Sequence, residues 1–330
     1  MTNLNNILGC AFGVALGDAM GAYLEFRSPG TIARYFPTKD DYKFPPDVDT
    51  THLIHRGEKP CHWTDDTTQM IFIMEMLIET GDQIDLVNFS KKLVNWLDNG
   101  VPEIGETRSS DCGGLTICVI RDFRHHPTDP KRCAKGQWES RPGHSPNGSV
   151  MRTAIMGCRK SDDYVQCISD SIQVGLTTHY DQRCSVSVAV ITSIVWDIVH
   201  GTPEDEILDR AFKCCEWFGE QHREECERYF NMTELDELEL NDMIGYSLKC
   251  MACGVWAFRN RDKDFRDAIL DIIFQGGDTD TNAAVAGGVL GAYKGYDNLP
   301  QDYIEKMPHH DYLYQKAVDL ERTTTSSTQT

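Results

Sequence analysis

Apolar residues recur with a helical period along most of the chain. Segments 4–23, 70–79 and 86–97 each place apolar side chains on one helical face, and segments 164–176 and 184–199 continue the pattern. No run alternates polar and apolar residues between hairpin turns, as a half-buried strand would. The pattern therefore predicts a mostly α-helical fold.

Two long segments lack this period. Residues 28–62 are rich in Pro, Asp and Tyr and are expected to form a loop with short turns. Residues 98–148 are also expected to be irregular, apart from a helix at 115–123. Long irregular segments inside a compact domain are often functional.

Two of the predicted helices carry a small residue at every fourth position. These residues are Gly9, Gly13, Gly17 and Gly21 in the first helix, and Ala283, Gly287, Gly291 and Gly295 near the carboxyl end. Residues four apart share a helix face, and glycine on that face permits close approach of a second backbone. We expect these two helices to pack tightly against each other.

Two acidic motifs stand immediately before predicted helices. Trp63-Thr64-Asp65-Asp66-Thr67 precedes one apolar run, and Gly276-Gly277-Asp278-Thr279-Asp280-Thr281-Asn282 precedes another. Either motif alone is explained by helix capping, because Asp and Thr accept hydrogen bonds from free N–H groups at a helix start. The presence of two such motifs in one acidic chain favours a shared site over capping alone.

If the two motifs meet in the fold, they place four carboxylates in one pocket. Burial of that many like charges is costly unless cations neutralise them. Hard divalent cations take oxygen ligands, and four carboxylates balance two such ions. The sequence therefore predicts a site for two Mg²⁺ or Mn²⁺ ions. The expected ligands are Thr64, Asp65, Asp66, Asp278, Asp280 and Thr281.

Composition is that of a globular protein. The chain has 330 residues, of which 40% are hydrophobic and 25% are charged. No linker or internal repeat separates two cores, so we expect one compact domain over residues 1–322 and a disordered polar tail over 323–330. The net charge of −19 argues against a nucleic-acid partner, which requires a basic face.

The thirteen cysteines show no spacing typical of a disulfide framework. The first residues also lack the basic region and apolar core of a signal peptide. We therefore expect reduced thiols in a cytoplasmic protein. We also expect the protein to be a monomer. The apolar segment 186–199 is shorter than a bilayer span and contains Asp197, so we interpret it as a core helix and expect no membrane association.

The chain resembles the ADP-ribosylglycohydrolase family. The motifs that carry the resemblance fall in the family's order: Gly13-Val14-Ala15-Leu16-Gly17-Asp18-Ala19-Met20-Gly21, Leu24-Glu25-Phe26, Trp63-Thr64-Asp65-Asp66-Thr67, Asn147-Gly148-Ser149-Val150-Met151-Arg152, Thr178-His179 and Gly276-Gly277-Asp278-Thr279-Asp280-Thr281-Asn282. They span most of the chain. The resemblance implies an all-α, single-domain fold and a metal-dependent hydrolase that removes ADP-ribose from modified protein side chains.

The resemblance also implies roles for individual acids. Leu24-Glu25-Phe26 matches the position whose acid lies beside the metals and the scissile bond, which makes Glu25 the candidate for proton transfer. Pro102-Glu103-Ile104-Gly105 looks like the loop of arginine-directed members, in which an acid borders the substrate; Glu103 is the candidate, with Glu106 as a rival. Asp18 is interpreted as structural, through hydrogen bonds within the helix packing.

A further set of residues matches the family's substrate-binding elements. These are Asn147, Gly148, Ser149, Met151, Arg152 and His179. The turn at Asn147-Gly148 is an ordinary loop on its residues alone, and the resemblance implies a backbone cradle for the ribose and diphosphate. His179 is either a packed residue before a core helix or, by the resemblance, a residue that faces the diphosphate.

The resemblance favours arginine-linked ADP-ribose as substrate and free ADP-ribose as product. Two cations would fix the ribose hydroxyls and lower the pKa of a bound water. Serine-linked or O-acetyl-linked ADP-ribose is the alternative within the enzyme class. A non-catalytic ADP-ribose-binding or crystallin-like protein is the alternative outside it, and hydrolysis of another nucleotide or glycoside is a third.

Overall fold

A computed structural model describes residues 4–47, 60–109, 112–159 and 162–326. Their regular structure is helical without strands, which confirms the all-α prediction. The α-helices are α1 (Leu4–Gly21), α2 (Pro29–Tyr35), α3 (Asp65–Thr80), α4 (Leu86–Asn99), α5 (Gly114–Phe123), α6 (Pro130–Ser140), α7 (Val150–Thr153), α8 (Tyr164–Gly175), α9 (Gln182–His200), α10 (Glu204–Lys213), α11 (Glu220–Asn231), α12 (Ser247–Arg259), α13 (Phe265–Ile273), α14 (Thr279–Lys294), α15 (Gln301–Ile304) and α16 (His310–Ser326).

Helices α2 and α6 lie in segments that were expected to be irregular. Ser28 accepts a hydrogen bond from Thr31 N–H at the start of α2, and Asp129 accepts one from Arg132 N–H at the start of α6. In both helices the residue after the cap is proline, whose fixed φ suits the first helical position. Capping therefore starts these helices although their apolar period is weak.

The tight packing predicted between the two glycine-bearing helices is present. A Cβ atom on Gly13 would lie 2.0 Å from the carbonyl oxygen of Gly287, and one on Gly9 would lie 2.1 Å from that of Gly291. The contact continues at Gly17, where a Cβ would lie 2.1 Å from the oxygen of Ala283. The two helices run antiparallel, so the end of α1 meets the start of α14.

Helices α1 and α9 form the apolar centre of the fold. Residues 4–24 and 182–200 both have the length and hydropathy of a membrane span, so the expectation that the segment at 186–199 is too short to cross a bilayer is wrong. In the fold, however, 100% and 83% of their apolar windows are buried by other parts of the chain. Their apolar character is accounted for by the core that they form.

The carboxyl-terminal helix α16 continues to Ser326, past the start of the predicted polar tail at Thr323. Residues 327–330 lie outside the described residues. All thirteen cysteines are free, and Cys118 is the least buried of them.

Candidate active site

Three helix ends converge on one point of the molecule. The Thr279 hydroxyl at the start of α14 donates to the Gly21 carbonyl at the end of α1, over 2.7 Å. Asp18, near the end of α1, accepts hydrogen bonds from Thr64 N–H at 2.9 Å and from the Thr67 hydroxyl at 2.6 Å. These bonds fix the start of α3 to α1. The two acidic motifs, distant in sequence, therefore lie side by side.

A β-bridge fixes Glu25 beside the second acidic motif. Phe26 N–H donates to the Gly277 carbonyl at 2.7 Å, and Gly277 N–H donates to the Arg27 carbonyl at 3.0 Å. Gly277 has φ +77°, and a Cβ there would lie 2.0 Å from the Leu240 carbonyl oxygen. Only glycine meets both conditions at this position.

The carboxylates form two triads that share one member. Asp18, Asp66 and Asp280 each offer an oxygen within 4.8 Å of the other two, and so do Glu25, Asp278 and Asp280. Asp280 belongs to both triads. All five side chains are buried.

Two hydroxyl groups complete this arrangement. Thr64 Oγ1 lies 3.3 Å from Asp66 Oδ2, and Thr281 Oγ1 lies 3.4 Å from the same oxygen. The other oxygen, Asp66 Oδ1, is buried without a hydrogen bond to any described residue. Asp65 lies at the rim, where Oδ2 accepts a 2.7 Å hydrogen bond from Gln69 Nε2.

The protein alone leaves this cluster electrostatically strained. Burial raises the pKa of the Asp18 carboxyl to about 6, and burial together with neighbouring carboxylates raises the pKa values of Asp66 and Asp280 well above their usual range. Hydroxyl and carboxylate oxygens around an unsatisfied buried oxygen are a donor set suited to hard divalent cations. The residues present therefore fit the predicted metal ions.

Asp66→Asn is expected to stabilise the metal-free protein, and increasingly so as the pH rises. Folding raises the pKa of Asp66, so this group's stability contribution is complete below the unfolded pKa and is lost as pH rises through the folded value. Asn keeps the shape and removes the charge, so the gain should grow as the pH rises above the pKa of an unfolded aspartate. Urea unfolding of both proteins in chelator measures it.

Comparison of the two proteins at each pH cancels the contributions of histidine. Burial lowers the pKa values of His179 and His200, and their titration gives stability the opposite slope with pH. Added Mg²⁺ should reverse the order of stability, because the variant has lost a cation ligand. An Asp66→Asn protein less stable than wild type in chelator at the higher pH values would contradict this electrostatic account.

A cleft of about 520 Å³ opens from the acidic cluster. Of the residues predicted from the sequence, those that line it are Glu25, Asp65, Asn147, Gly148, Met151, His179, Asp278, Asp280 and Thr281. Thr64 and Asp66 are buried beside them. Asn147 Nδ2 donates to Asp278 Oδ2 at 2.9 Å, which joins the loop before α7 to the acidic cluster.

Another part of the cleft wall suits an anion. Gly113, Gly114 and Leu115 at the start of α5 line the cleft, and the free N–H groups of a helix start attract negative charge. Arg141 and His144, which follow α6, line the cleft as well. None of these residues was predicted as part of the site from the sequence, although Asp129-Pro130 is a recognisable helix start that would have placed Arg141 and His144 after a helix.

Three predicted residues are not brought to the cleft. Ser149 and Arg152 are completely buried behind its wall. Glu103 lines a different pocket, beside Glu75, Lys92 and other residues of α3, α4 and α16, because the turn that carries it packs there. The expectation that Glu103 borders the substrate thus has no support from the geometry.

The rival of Glu103 has a structural position. Glu106 Oε2 accepts hydrogen bonds from Trp96 Nε1 at 3.2 Å and from Val101 N–H at 3.1 Å. These bonds close the turn after α4.

Comparisons with known proteins agree with this geometry. Residues 1–329 match the profile of the ADP-ribosylglycohydrolase family. The chain is 23% identical to the ADP-ribosylarginine hydrolase Tri1 of Serratia proteamaculans, with 96% of this chain and 79% of the relative covered. It is also 23% identical to the ADP-ribosyl-[dinitrogen reductase] glycohydrolase of Rhodospirillum rubrum, with 91% and 89% covered.

A solved structure shares the fold. It is described as an ADP-ribosylglycohydrolase-related protein complex, and it superposes with a TM-score of 0.71 at 22% identity. The superposition covers 97% of this chain and 98% of that structure. The similarity thus extends over the whole helical domain.

Proposed function

The chain belongs to the ADP-ribosylglycohydrolase family, whose members hydrolyse glycosidic bonds, and we propose that it removes ADP-ribose from modified arginine side chains of proteins. The product is free ADP-ribose. We further propose that the reaction depends on two divalent cations, Mg²⁺ or Mn²⁺. The single observation that carries the proposal is the meeting of both acidic motifs and Glu25 at one end of the cleft.

The cations would be held by the six oxygen-bearing residues predicted for them. These are Thr64, Asp65, Asp66, Asp278, Asp280 and Thr281. When bound, the ions supply a rigid hold on the ribose hydroxyl groups and a water that ionises near neutral pH. The orphaned Asp66 Oδ1 and the mutually close carboxylate oxygens support this assignment.

The remainder of ADP-ribose fits the rest of the wall. Its diphosphate is an anion, and the start of α5 together with Arg141 offers N–H groups and positive charge to it. His179 contributes a neutral imidazole, because burial lowers its pKa well below the usual range. The acidic cluster at one end of the cleft thus needs cations, whereas the wall formed by the start of α5 and Arg141 attracts an anion.

Glu25 is the proposed catalytic acid and base. Cleavage breaks the bond between the anomeric carbon and the leaving nitrogen, which needs a proton, while the attacking water loses one. Glu25 lines the cleft and offers a carboxylate oxygen within 4.8 Å of oxygens of Asp278 and Asp280, where the ribose would lie. At that position its carboxyl can give a proton to the leaving nitrogen and take one from the attacking water.

The linkage of ADP-ribose to arginine is a more specific proposal than the enzyme class. It is supported by the name of the Serratia proteamaculans relative, an ADP-ribosylarginine hydrolase, and by Leu24-Glu25-Phe26, which resembles arginine-directed members. A cytoplasmic location is proposed as well, in keeping with thirteen free cysteines. We specify the target protein only by its modification, which is ADP-ribose on arginine.

Release of ADP-ribose from two matched peptides tests the linkage. One peptide carries ADP-ribose on arginine and the other on serine, and each is incubated with Mg²⁺ and again with chelator. We expect Mg²⁺-dependent release from the arginine peptide at least about tenfold faster than from the serine peptide, a difference of ~1.4 kcal/mol in the barrier.

Faster release from the serine peptide would reverse the linkage and keep the enzyme class. Binding of ADP-ribose without release from either peptide would indicate an ADP-ribose-binding protein. The proposed function would be refuted if the protein released ADP-ribose from neither peptide and also failed to bind ADP-ribose.

A further inference from the structure

Arg152 is a buried cation that the proposed reaction does not use. Its side chain is completely buried, and its guanidinium forms no ion pair with a described residue. Nη1 donates to Gln69 Oε1, and Nη2 donates to Thr178 Oγ1 at 2.6 Å. The guanidinium carbon lies 5.0 Å from the centre of the Phe89 ring. Arg152 therefore joins two parts of the molecule that lie on either side of it.

The first contact leads to the acidic cluster. Gln69 stands one helical turn after Asp65 on α3, so their side chains share a face. Because the Gln69 carbonyl oxygen accepts from Arg152, its amide NH₂ is turned toward Asp65, and Nε2 donates to Asp65 Oδ2 at 2.7 Å. The guanidinium thus determines which end of the amide faces the carboxylate.

The second contact leads to His179. Thr178 Oγ1 lies 2.7 Å from His179 Nδ1. An arginine can only donate, so Thr178 Oγ1 accepts from Arg152 and its own proton remains to be donated. The nearby acceptor is His179 Nδ1. A proton on Nδ1 would leave the Thr178 hydroxyl proton without an acceptor among the described residues, so the arrangement favours the imidazole proton on Nε2.

His179 presents that proton at the cleft wall. The ring lies against the backbone of Gly148, where a Cβ would come within 2.9 Å of Nε2. Nε2 makes no hydrogen bond to a described residue, and His179 lines the cleft. An Nε2–H group in this position is a donor for an oxygen of the bound nucleotide.

We propose that Arg152 is a positioning residue that sets Asp65 through Gln69 and fixes the tautomer of His179 through Thr178. The second half rests on the proposed function, since it assigns His179 to the nucleotide. The buried guanidinium of Arg152 then orients both Asp65, as a cation ligand, and His179, as a hydrogen-bond donor to the nucleotide. Such outer hydrogen bonds orient the groups that contact the metal and ligand.

Two variants separate the two contacts. Thr178→Val removes the hydroxyl next to His179 and leaves Gln69 in place, whereas Gln69→Met removes the amide next to Asp65 and leaves Thr178 in place. Arg152→Met removes both. Thr177→Val is the matched control, because the Thr177 hydroxyl is buried nearby and, among the described residues, bonds only to the Val174 carbonyl, at 2.6 Å.

Three measurements are made on each protein: calorimetric affinity for Mn²⁺, calorimetric affinity for ADP-ribose at saturating Mn²⁺, and ¹⁵N spectra of histidine-labelled protein. The spectra distinguish a protonated ring nitrogen from an unprotonated one, and His179→Gln identifies the signals of His179. A merely structural role for Arg152 would not change the tautomer of a folded protein.

Thr178→Val is expected to weaken ADP-ribose binding by about five- to tenfold, and to lose the single Nε2–H tautomer. Its Mn²⁺ affinity should stay close to wild type. Gln69→Met is expected to weaken Mn²⁺ binding by about tenfold or more while the His179 spectrum is unchanged. Arg152→Met should show both changes, and Thr177→Val neither.

A wild-type His179 protonated on Nδ1 would overturn the proposal, as would an unchanged Mn²⁺ affinity in Gln69→Met. If Arg152→Met does not fold, the two single-contact variants decide the matter. Mn²⁺ affinity and the tautomer are both measured without nucleotide. A wild-type protein that neither binds ADP-ribose nor releases it from either peptide would therefore refute the proposed function and still leave these two readouts to judge Arg152.

Discussion

Asp280→Asn is expected to reduce turnover by at least about a thousandfold and Mn²⁺ affinity by about a hundredfold or more. Asp280 is the carboxylate shared by both triads, so its loss removes one negative charge from each of them. The substitution keeps the shape of the side chain, and Thr281 N–H can still donate to its oxygen, as it does to Asp280 Oδ1 at 2.8 Å. The loss of turnover and of Mn²⁺ affinity therefore measures the effect of removing the charge of Asp280.

Asp297→Asn is the matched control for this substitution. Asp297 is exposed just beyond the other end of α14, so the same change of charge there should leave both turnover and Mn²⁺ affinity near wild type. Release of ADP-ribose and calorimetric titration with Mn²⁺ measure the two quantities. An Asp280→Asn protein that keeps more than about a tenth of wild-type turnover would be incompatible with a shared metal ligand.

Glu25→Gln is expected to reduce kcat by about a hundredfold or more, with a smaller change in Mn²⁺ affinity than Asp280→Asn produces. General acid–base catalysis typically contributes that much to a rate, and glutamine cannot transfer the proton. Glu25 lies beside Asp278 and Asp280 but is fixed by the β-bridge of its neighbours, so the fold should be retained. Turnover with saturating Mn²⁺ gives kcat and KM separately.

Glu103→Gln provides the comparison for this second substitution. Glu103 is exposed in a different pocket, so the structure predicts little change when it is altered. Full kcat in Glu25→Gln would remove Glu25 from the mechanism. A large loss in Glu103→Gln would instead restore the role that the sequence resemblance assigned to Glu103.

The features that could be predicted from the sequence are those that depend on local spacing. Glycines four apart define a helix face, and this was sufficient to predict the contact of α1 with α14. That contact brings the start of α14 to the end of α1. The predicted meeting of Asp65 and Asp66 with Asp278 and Asp280 follows from it, together with the bonds that Asp18 makes to the start of α3.

Other features had a sequence signal that went unused. Ser28-Pro29 and Asp129-Pro130 are typical helix starts, and they mark α2 and α6 in segments that were expected to be irregular. Gln69 follows Asp65 by one helical turn, so their contact was also available from spacing alone.

The positions of Glu103 and Arg152 could not be read from the sequence. A short motif identifies Glu103 as part of a turn, but the pocket that the turn faces depends on how α4 and α16 pack around it. Arg152 carries a charge and was expected to contact the substrate. Its burial depends on partners from α3 and from the segment before α9, which only the folded chain brings together.

The most direct test of the central claim is a crystal structure with Mn²⁺ and ADP-ribose, in which anomalous scattering locates the metal. The account predicts two Mn²⁺ ions ligated from among Thr64, Asp65, Asp66, Asp278, Asp280 and Thr281, with the ribose against them and the diphosphate near the start of α5. Anomalous peaks elsewhere, or ADP-ribose bound outside this cleft, would contradict it.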